Sequence, residues 1–257
     1  MAAEWCVLGA GSIQPRAGHG PAGYALRPAP GAPVTLFDCG PGTLRHLPEV
    51  GIGLREIERV VLSHYHLDHC LDLLALGFAR RNPALGEPWP LELIGPRGLR
   101  RLVDGLEGPL GVLARDPGLR FVEVEPTPGL APLERAGLRL AWTPTEHTPE
   151  AVAWRVDLPG ASLAYSGDTP ETPGVADLAR GVDLFTLECS HADGHGVPGH
   201  LTPSSAARLA VRAGARRLLL THFYPELEPE DARAVAARTF PGEILVARDG
   251  LRVAPGA

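Results

Sequence analysis

Val60-Val61-Leu62 runs directly into Ser63-His64-Tyr65-His66-Leu67-Asp68-His69, and this junction constrains the fold more than any other stretch of the chain. The Val-Val-Leu run reads as a buried strand, and a helical pattern begins near Asp68. The turn between them must project several side chains toward one point. His64 and His66 lie two apart and share a face in extended backbone, whereas the adjacent Asp68 and His69 point differently and can serve a second ion. Imidazole nitrogen and carboxylate oxygen are suitable zinc donors. A lone histidine here would read as part of a polar surface loop. Four donors within six positions, behind a buried strand, read as a metal site.

Such a site needs partners on other loops, and the rest of the chain offers them. Short apolar runs bounded by Gly, Pro or Asp recur at 5–8, 24–26, 34–37, 60–62, 91–94, 120–124, 138–142, 152–156, 162–165, 184–187, 217–220, 243–246 and 251–253. These predict strands. Helical spacing predicts helices over 71–81, 97–107, 203–213 and 229–238, with Thr202 as an N-cap and Pro203 at the first helical position of the third. No linker or low-complexity tract divides the 257 residues, which suit one domain over 1–257. Strands first, then strands alternating with helices, predict an α/β fold of two packed sheets with outer helices.

His147, Asp168 and His222 each follow a predicted strand, as a site at one edge of a sheet sandwich requires. With His64, His66, Asp68 and His69 they make seven donors, enough for two ions with positions left for water. Asp38, after the strand 34–37, could orient a ligand histidine or be an ordinary turn residue. His191 and His195 lie in the loop 190–198 and read as solvent-facing. Tyr224 either contacts substrate or packs, and Gly9-x-Gly11 lacks the third glycine of a dinucleotide loop.

These residues resemble the metallo-β-lactamase superfamily, whose signature is His-x-His-x-Asp-His. The resemblance runs over nearly the whole chain and is nearest to the RNase Z-like and small phosphodiesterase branch. Leu8-Gly9-Ala10-Gly11-Ser12 is similar to that branch's glycine loop. Phe37-Asp38-Cys39-Gly40-Pro41-Gly42-Thr43 is similar to its Asp-Cys-Gly-Glu-Gly-Thr loop, with Pro41 in place of Glu, and Ala247-Arg248-Asp249-Gly250 to its C-terminal Asp-Gly turn. The resemblance implies an αββα sandwich of two mixed sheets. It implies one metal on His64, His66 and His147, another on Asp68, His69 and His222, and Asp168 bridging, with Asp68 counted among the catalytic residues too. His66 stands where the di-iron branch has Glu, so two zinc ions are expected, with manganese as the substitute.

Glu188 and His200 bear on the substrate. The RNase Z-like branch pairs a Glu in a His-Glu-Ala-Ser/Thr motif with a His in a His-Ser-Thr motif, acting on phosphate and leaving group. Here the stretches are Leu187-Glu188-Cys189-Ser190, with Leu187 replacing the first His, and His200-Leu201-Thr202. Attack of metal-activated water on phosphorus builds charge that a nearby imidazolium can stabilise, and the same group can protonate the leaving alkoxide. Glu188 would fix the ring and raise its pKa. A helix-cap role for His200 is the plainer alternative.

The expected activity is therefore a zinc-dependent hydrolase, specifically a phosphodiesterase on a small or cyclic phosphodiester. Second is an RNase Z-type tRNA 3′-end endonuclease acting on RNA. That family inserts a flexible arm between its third and fourth metal motifs, and only a strand pair separates His147 from Asp168. The net charge of -6 gives no electrostatic reason for tight polyanion binding. Third is a thioester or lactone hydrolase, and fourth a non-catalytic metal-binding scaffold. The arginine pairs at 80–81, 100–101 and 216–217 read as solvated helix faces. Four scattered cysteines and no visible signal peptide predict a reduced, cytoplasmic protein, and no apolar run approaches the ~20 residues of a membrane span. A homodimer is an expectation of the resemblance alone. The absence of Lys and scarcity of Asn, Gln and Met fit either a thermophilic source or a GC-rich genome.

Overall fold

The computed structural model describes residues 3–14, 16–110 and 118–257. The strands are β1 (Glu4–Gly9), β2 (Gly23–Arg27), β3 (Val34–Cys39), β4 (Ile57–Val61), β5 (Leu91–Pro96), β6 (Leu119–Val124), β7 (Leu133–Arg135), β8 (Leu138–Pro144), β9 (Val152–Leu158), β10 (Ala161–Tyr165), β11 (Leu184–Glu188), β12 (Arg217–Thr221), β13 (Glu243–Val246) and β14 (Arg252–Val253). The helices are α1 (Thr43–His46), α2 (Leu67–Cys70), α3 (Asp72–Arg80), α4 (Leu99–Leu110), α5 (Pro173–Leu178), α6 (Pro203–Ala213) and α7 (Pro229–Ala236).

One sheet runs β14-β1-β2-β3-β4-β5-β6 and the other β13-β12-β11-β10-β9-β8-β7. Both are mixed by the same rule. The pairings through β1, β2 and β3 are antiparallel and those from β3 to β6 parallel. In the second sheet β7 to β10 pair antiparallel and β10 to β13 parallel. The sequence shows no repeat, yet the two halves repeat this pairing scheme.

Each strand serves two cores. Trp5 and Val7 face the space between the sheets, while Cys6 and Leu8 face the helices outside. Likewise Leu219 points into the intersheet core and Leu218 and Leu220 toward α5, α6 and α7. Central strands covered on both faces must be apolar throughout, which is why β3, β11 and β12 lack hydrophobic alternation, whereas β8 nearer the sheet edge alternates. The result is four layers, helices–sheet–sheet–helices. Among the described residues no helix is long and apolar enough to cross a membrane.

The strand expectations match thirteen of the strands; β7, which pairs Leu133 to Arg135 with β8, is not among them. The helix expected over 71–81 is α3, and a separate short helix, α2, precedes it and carries Asp68 and His69. α2 ends at Cys70, and α3 starts at Asp72, whose carboxylate accepts the backbone N–H groups of Gly42 and Leu44 at 3.0 Å. α4 starts at Leu99 because Glu123 of β6 accepts the N–H groups of Gly98 and Arg100. α6 occupies 203–213 as its Thr-Pro start dictates, with the Ser205 hydroxyl accepting Thr202 N–H at 2.8 Å.

Candidate metal centre

The loops after β4, β8, β10 and β12 converge at one edge of the sandwich. His64 and His66 leave β4, and Asp68 and His69 lie on α2. His147 follows β8, Asp168 follows β10 and His222 follows β12. Single donor atoms of His64, His66, His147 and Asp168 lie within 4.8 Å of one another, and so do those of Asp68, His69 and His222. These are the two groupings the resemblance implies.

Asp168 stands between them. Its Oδ1 is 3.4 Å from His69 Nε2 and 3.5 Å from His222 Nε2. Its Oδ2 is 3.6 Å from His147 Nε2 and 3.8 Å from His64 Nε2. One carboxylate thus turns one oxygen to each group. Gly167 makes this possible, having φ +55 where a Cβ would come within 2.6 Å of the Ser63 Cβ.

Hydrogen bonds fix which nitrogen of each ring faces inward. His69 Nδ1 donates to Asp38 Oδ2 at 2.7 Å. The Ser63 hydroxyl gives its proton to Asp38 at 2.8 Å and so accepts from His64 Nδ1 at 3.0 Å. His147 Nδ1 donates to the Gly199 carbonyl at 3.0 Å. The Ser190 hydroxyl donates to Glu188 and accepts from His222 Nδ1 at 3.0 Å. In all four, the Nε2 lone pair is left pointing into the site. Asp38 also accepts the Ser63 N–H and the Tyr165 hydroxyl. It therefore orients two of the histidines, which places it beyond an ordinary turn residue.

The donor set fits metal ions. His64 Nε2 and Asp168 Oδ1 are buried without a hydrogen-bond partner among the described residues. His69 Nε2 and His222 Nε2 approach to 3.2 Å, and His66 Nδ1 and His147 Nε2 to 3.1 Å. Two nitrogens on one zinc ion, at ~2.1 Å and a tetrahedral angle, stand about 3.4 Å apart. The observed spacings are close to the one that two nitrogens sharing an ion would take.

Burial and charge act together here. Burial, with the neighbouring His69, holds His64 well below its ordinary pKa, and burial likewise lowers His147, so both are neutral donors. Burial alone would raise Asp168, but His222 and His69 outweigh it and keep the carboxylate ionised. His222 itself has φ 60 and Asp38 φ 53, left-handed backbone in non-glycine residues. The His222 turn is held because the Ala10 carbonyl accepts the Phe223 N–H at 3.1 Å, and Ala10 N–H donates to Asp249 Oδ1 at 3.0 Å. The glycine loop and the Asp-Gly turn therefore meet behind the site. Gly40 packs against α2, where a Cβ would lie 2.0 Å from the Asp68 carbonyl oxygen.

His200 and Glu188 adjoin the centre. His200 Nδ1 lies 3.1 and 3.2 Å from the two Glu188 oxygens and 3.9 Å from Asp168 Oδ2. Donor atoms of Asp168, His200 and His222 also lie within 4.8 Å of one another, but His200 Nδ1 already faces the Glu188 carboxylate, so we assign His200 to neither ion group. Burial opposes the charge on His200, yet the Glu188 hydrogen bond and charge raise its pKa to about 9. His195 is exposed, whereas His191 is half-buried and stacks on Tyr224 rather than standing free in solvent. His19 packs edge-on against Phe223.

A sandwich of this topology, with His-x-His-x-Asp-His at the C-terminal end of a parallel strand, defines the metallo-β-lactamase superfamily, and the chain belongs to it: the Beta-lactamase superfamily domain matches residues 35–223. Within that superfamily of metal-binding hydrolases it is a member of the RNase Z-like branch. The chain is 31% identical over 279 residues to a Ribonuclease Z of Mycobacterium marinum, covering 97% of this chain and 98% of that one. It is 35% identical over 229 residues to the uncharacterised protein Rv1339 of Mycobacterium tuberculosis, covering 86% and 81%. Among solved structures, the metallo-β-lactamase fold protein YhfI of Bacillus subtilis superposes with a TM-score of 0.86 at 25% identity, over 98% of this chain and 99% of that one.

Proposed function

We propose that residues 1–257 form one hydrolase domain that cleaves a small or cyclic phosphodiester with two divalent ions, zinc by preference. His64, His66 and His147 would hold one ion, Asp68, His69 and His222 the other, with Asp168 between them. Manganese is the alternative occupant, since the nitrogen and carboxylate donors accept both. When bound, the ions supply Lewis-acid polarisation and an activated water. Nothing in the donor set calls for a redox role.

The observation that carries the phosphodiester reading is the Glu188–His200 contact beside Asp168. With Nδ1 directed at Glu188, the Nε2 N–H of a charged His200 is left for the substrate. It donates to a phosphate oxygen as charge accumulates there, and passes its proton to the departing alkoxide. Glu188 holds the ring in that orientation. Thr169 N–H and the Ser190 hydroxyl satisfy the Glu188 oxygens and fix that carboxylate in turn. A thioester or lactone has no such demand for a cationic partner to two nonbridging oxygens. Four buried free thiols suit a reducing cytoplasm.

The likeness to proteins named Ribonuclease Z favours a second reading, cleavage of precursor tRNA. Against it, β9 and β10 are joined by Pro159-Gly160 alone, as Leu158 pairs with Ala161, so the segment between His147 and Asp168 carries no arm for gripping RNA. Side-by-side rates of the metal-loaded protein on cyclic AMP, a precursor tRNA and a lactone test the ranking. We expect the cyclic phosphodiester to be the preferred substrate. A clear preference for tRNA reverses the order, and turnover of the lactone alone removes both.

A further inference from the structure

An aromatic pair beside the centre has no part in the hydrolysis just described. His191 and Tyr224 stack with ring centroids 4.5 Å apart and planes at 30°. Both are held by rigid backbone. His191 follows Ser190, whose carbonyl accepts the Tyr224 N–H at 3.2 Å, and Tyr224 stands two residues after His222. The Tyr224 ring centroid lies 6.1 Å from that of His222 and 6.3 Å from that of His200, and His191 lies 5.9 Å from His200.

The stack is not explained as core. Both rings are only half-buried, and neither belongs to the hydrophobic clusters on either side of the second sheet. The rim nearby is apolar as well. Leu67, between His66 and Asp68, is 53% exposed, and Val197, whose carbonyl accepts the His200 N–H, is 45% exposed. A bare phosphate or a compact sugar phosphate gains little from such surfaces. A planar heteroaromatic ring gains stacking energy from them, whatever its sequence identity. The separation from His200 and His222 is about one sugar's width, the spacing between a phosphate and the base of the same nucleotide.

We propose that the His191–Tyr224 stack is a platform for a nucleobase, so that the substrate is a nucleotide-type phosphodiester. The proposal rests on the phosphodiesterase reading for its substrate class. Its test is the ratio of kcat/KM for cyclic AMP to that for glycerol 1,2-cyclic phosphate, a cyclic phosphodiester without a base. The ratio is internally controlled, because a partly misfolded sample lowers both rates alike. Y224A and H191A are expected to lower the ratio by roughly tenfold, mainly through KM for cyclic AMP, while Y224F keeps it within about twofold because the ring remains. An unchanged ratio in Y224A overturns the proposal. If wild-type protein hydrolyses neither compound, the phosphodiesterase reading falls and calorimetry decides the platform separately. AMP should then bind the metal-loaded protein at least roughly tenfold more tightly than inorganic phosphate, with the difference abolished in Y224A. Equal affinities would overturn it.

Discussion

Glu188 Oε1 lies 3.1 Å from Nδ1 of His200 while accepting the backbone N–H of Thr169, the residue after Asp168, at 2.7 Å. The pair that would act on substrate is thus tied by one peptide unit to the carboxylate between the two histidine groups.

That contact sets a pH dependence. In metal-free protein the His200 ring should titrate near pH 9 rather than at the ordinary 6.5. A folded pKa above the unfolded one means that the pair stabilises the protein fully below about pH 6.5, and that this contribution is lost as pH rises through about 9. NMR titration of the imidazole Cε1–H resonance measures it. E188Q should bring the midpoint down toward 6.5; an unmoved midpoint would show that Glu188 is not the cause.

Removing the imidazole separates chemistry from metal binding. His200→Ala should retain its metal and lose at least roughly tenfold in kcat on bis(p-nitrophenyl) phosphate. The loss should be larger on cyclic AMP, whose leaving group is an alkoxide and needs a proton more. Equal turnover by mutant and wild type on both substrates would sink the role assigned to His200.

Asp168→Ala should behave in the opposite way. Each oxygen of Asp168 faces a different histidine group, so the substitution withdraws a donor from both. Elemental analysis should find less metal per chain than in wild type. Full retention would overturn the bridging role proposed for Asp168.

Asp38 is a support whose loss should appear as instability. It is fully buried and accepts from Ser63 N–H, the Ser63 hydroxyl, His69 and the Tyr165 hydroxyl. Asp38→Ala leaves several buried donors unpaired, at about 1–3 kcal/mol each before relaxation, so we expect a total loss of roughly 3–5 kcal/mol. Urea unfolding measures this, and a midpoint within error of wild type would contradict it.

Much of this centre was legible in the sequence because metal donors must follow strand ends, and strand ends are marked by apolar runs stopping at polar residues. His147, Asp168 and His222 could be picked out on that rule, and Glu188 and His200 through the resemblance. The Asp38 network was only half visible, since nothing in Phe37-Asp38-Cys39 says that its carboxylate reaches Tyr165, 127 positions away. The His191–Tyr224 stack was hidden for a related reason. His191 lies in a loop of polar and glycine residues that reads as solvent-facing, and only the Ser190–Tyr224 backbone hydrogen bond brings the two rings together. Nor could local pattern show that Asp72, at the start of α3, reaches back to the loop at Gly42.

The donors are spread from His64 to His222, and this has a consequence for how the protein is made. A growing chain exposes His64, His66, Asp68 and His69 long before β12 has been synthesised. Until then those imidazoles have no His222 and no completed second sheet to close against. The full constellation comes into being only near the end of translation, when β12 is laid beside β11. On the proposed grouping, the Asp68, His69 and His222 position would therefore be completed last, and a chain interrupted after β10 carries five of the seven donors without the strand that closes that group.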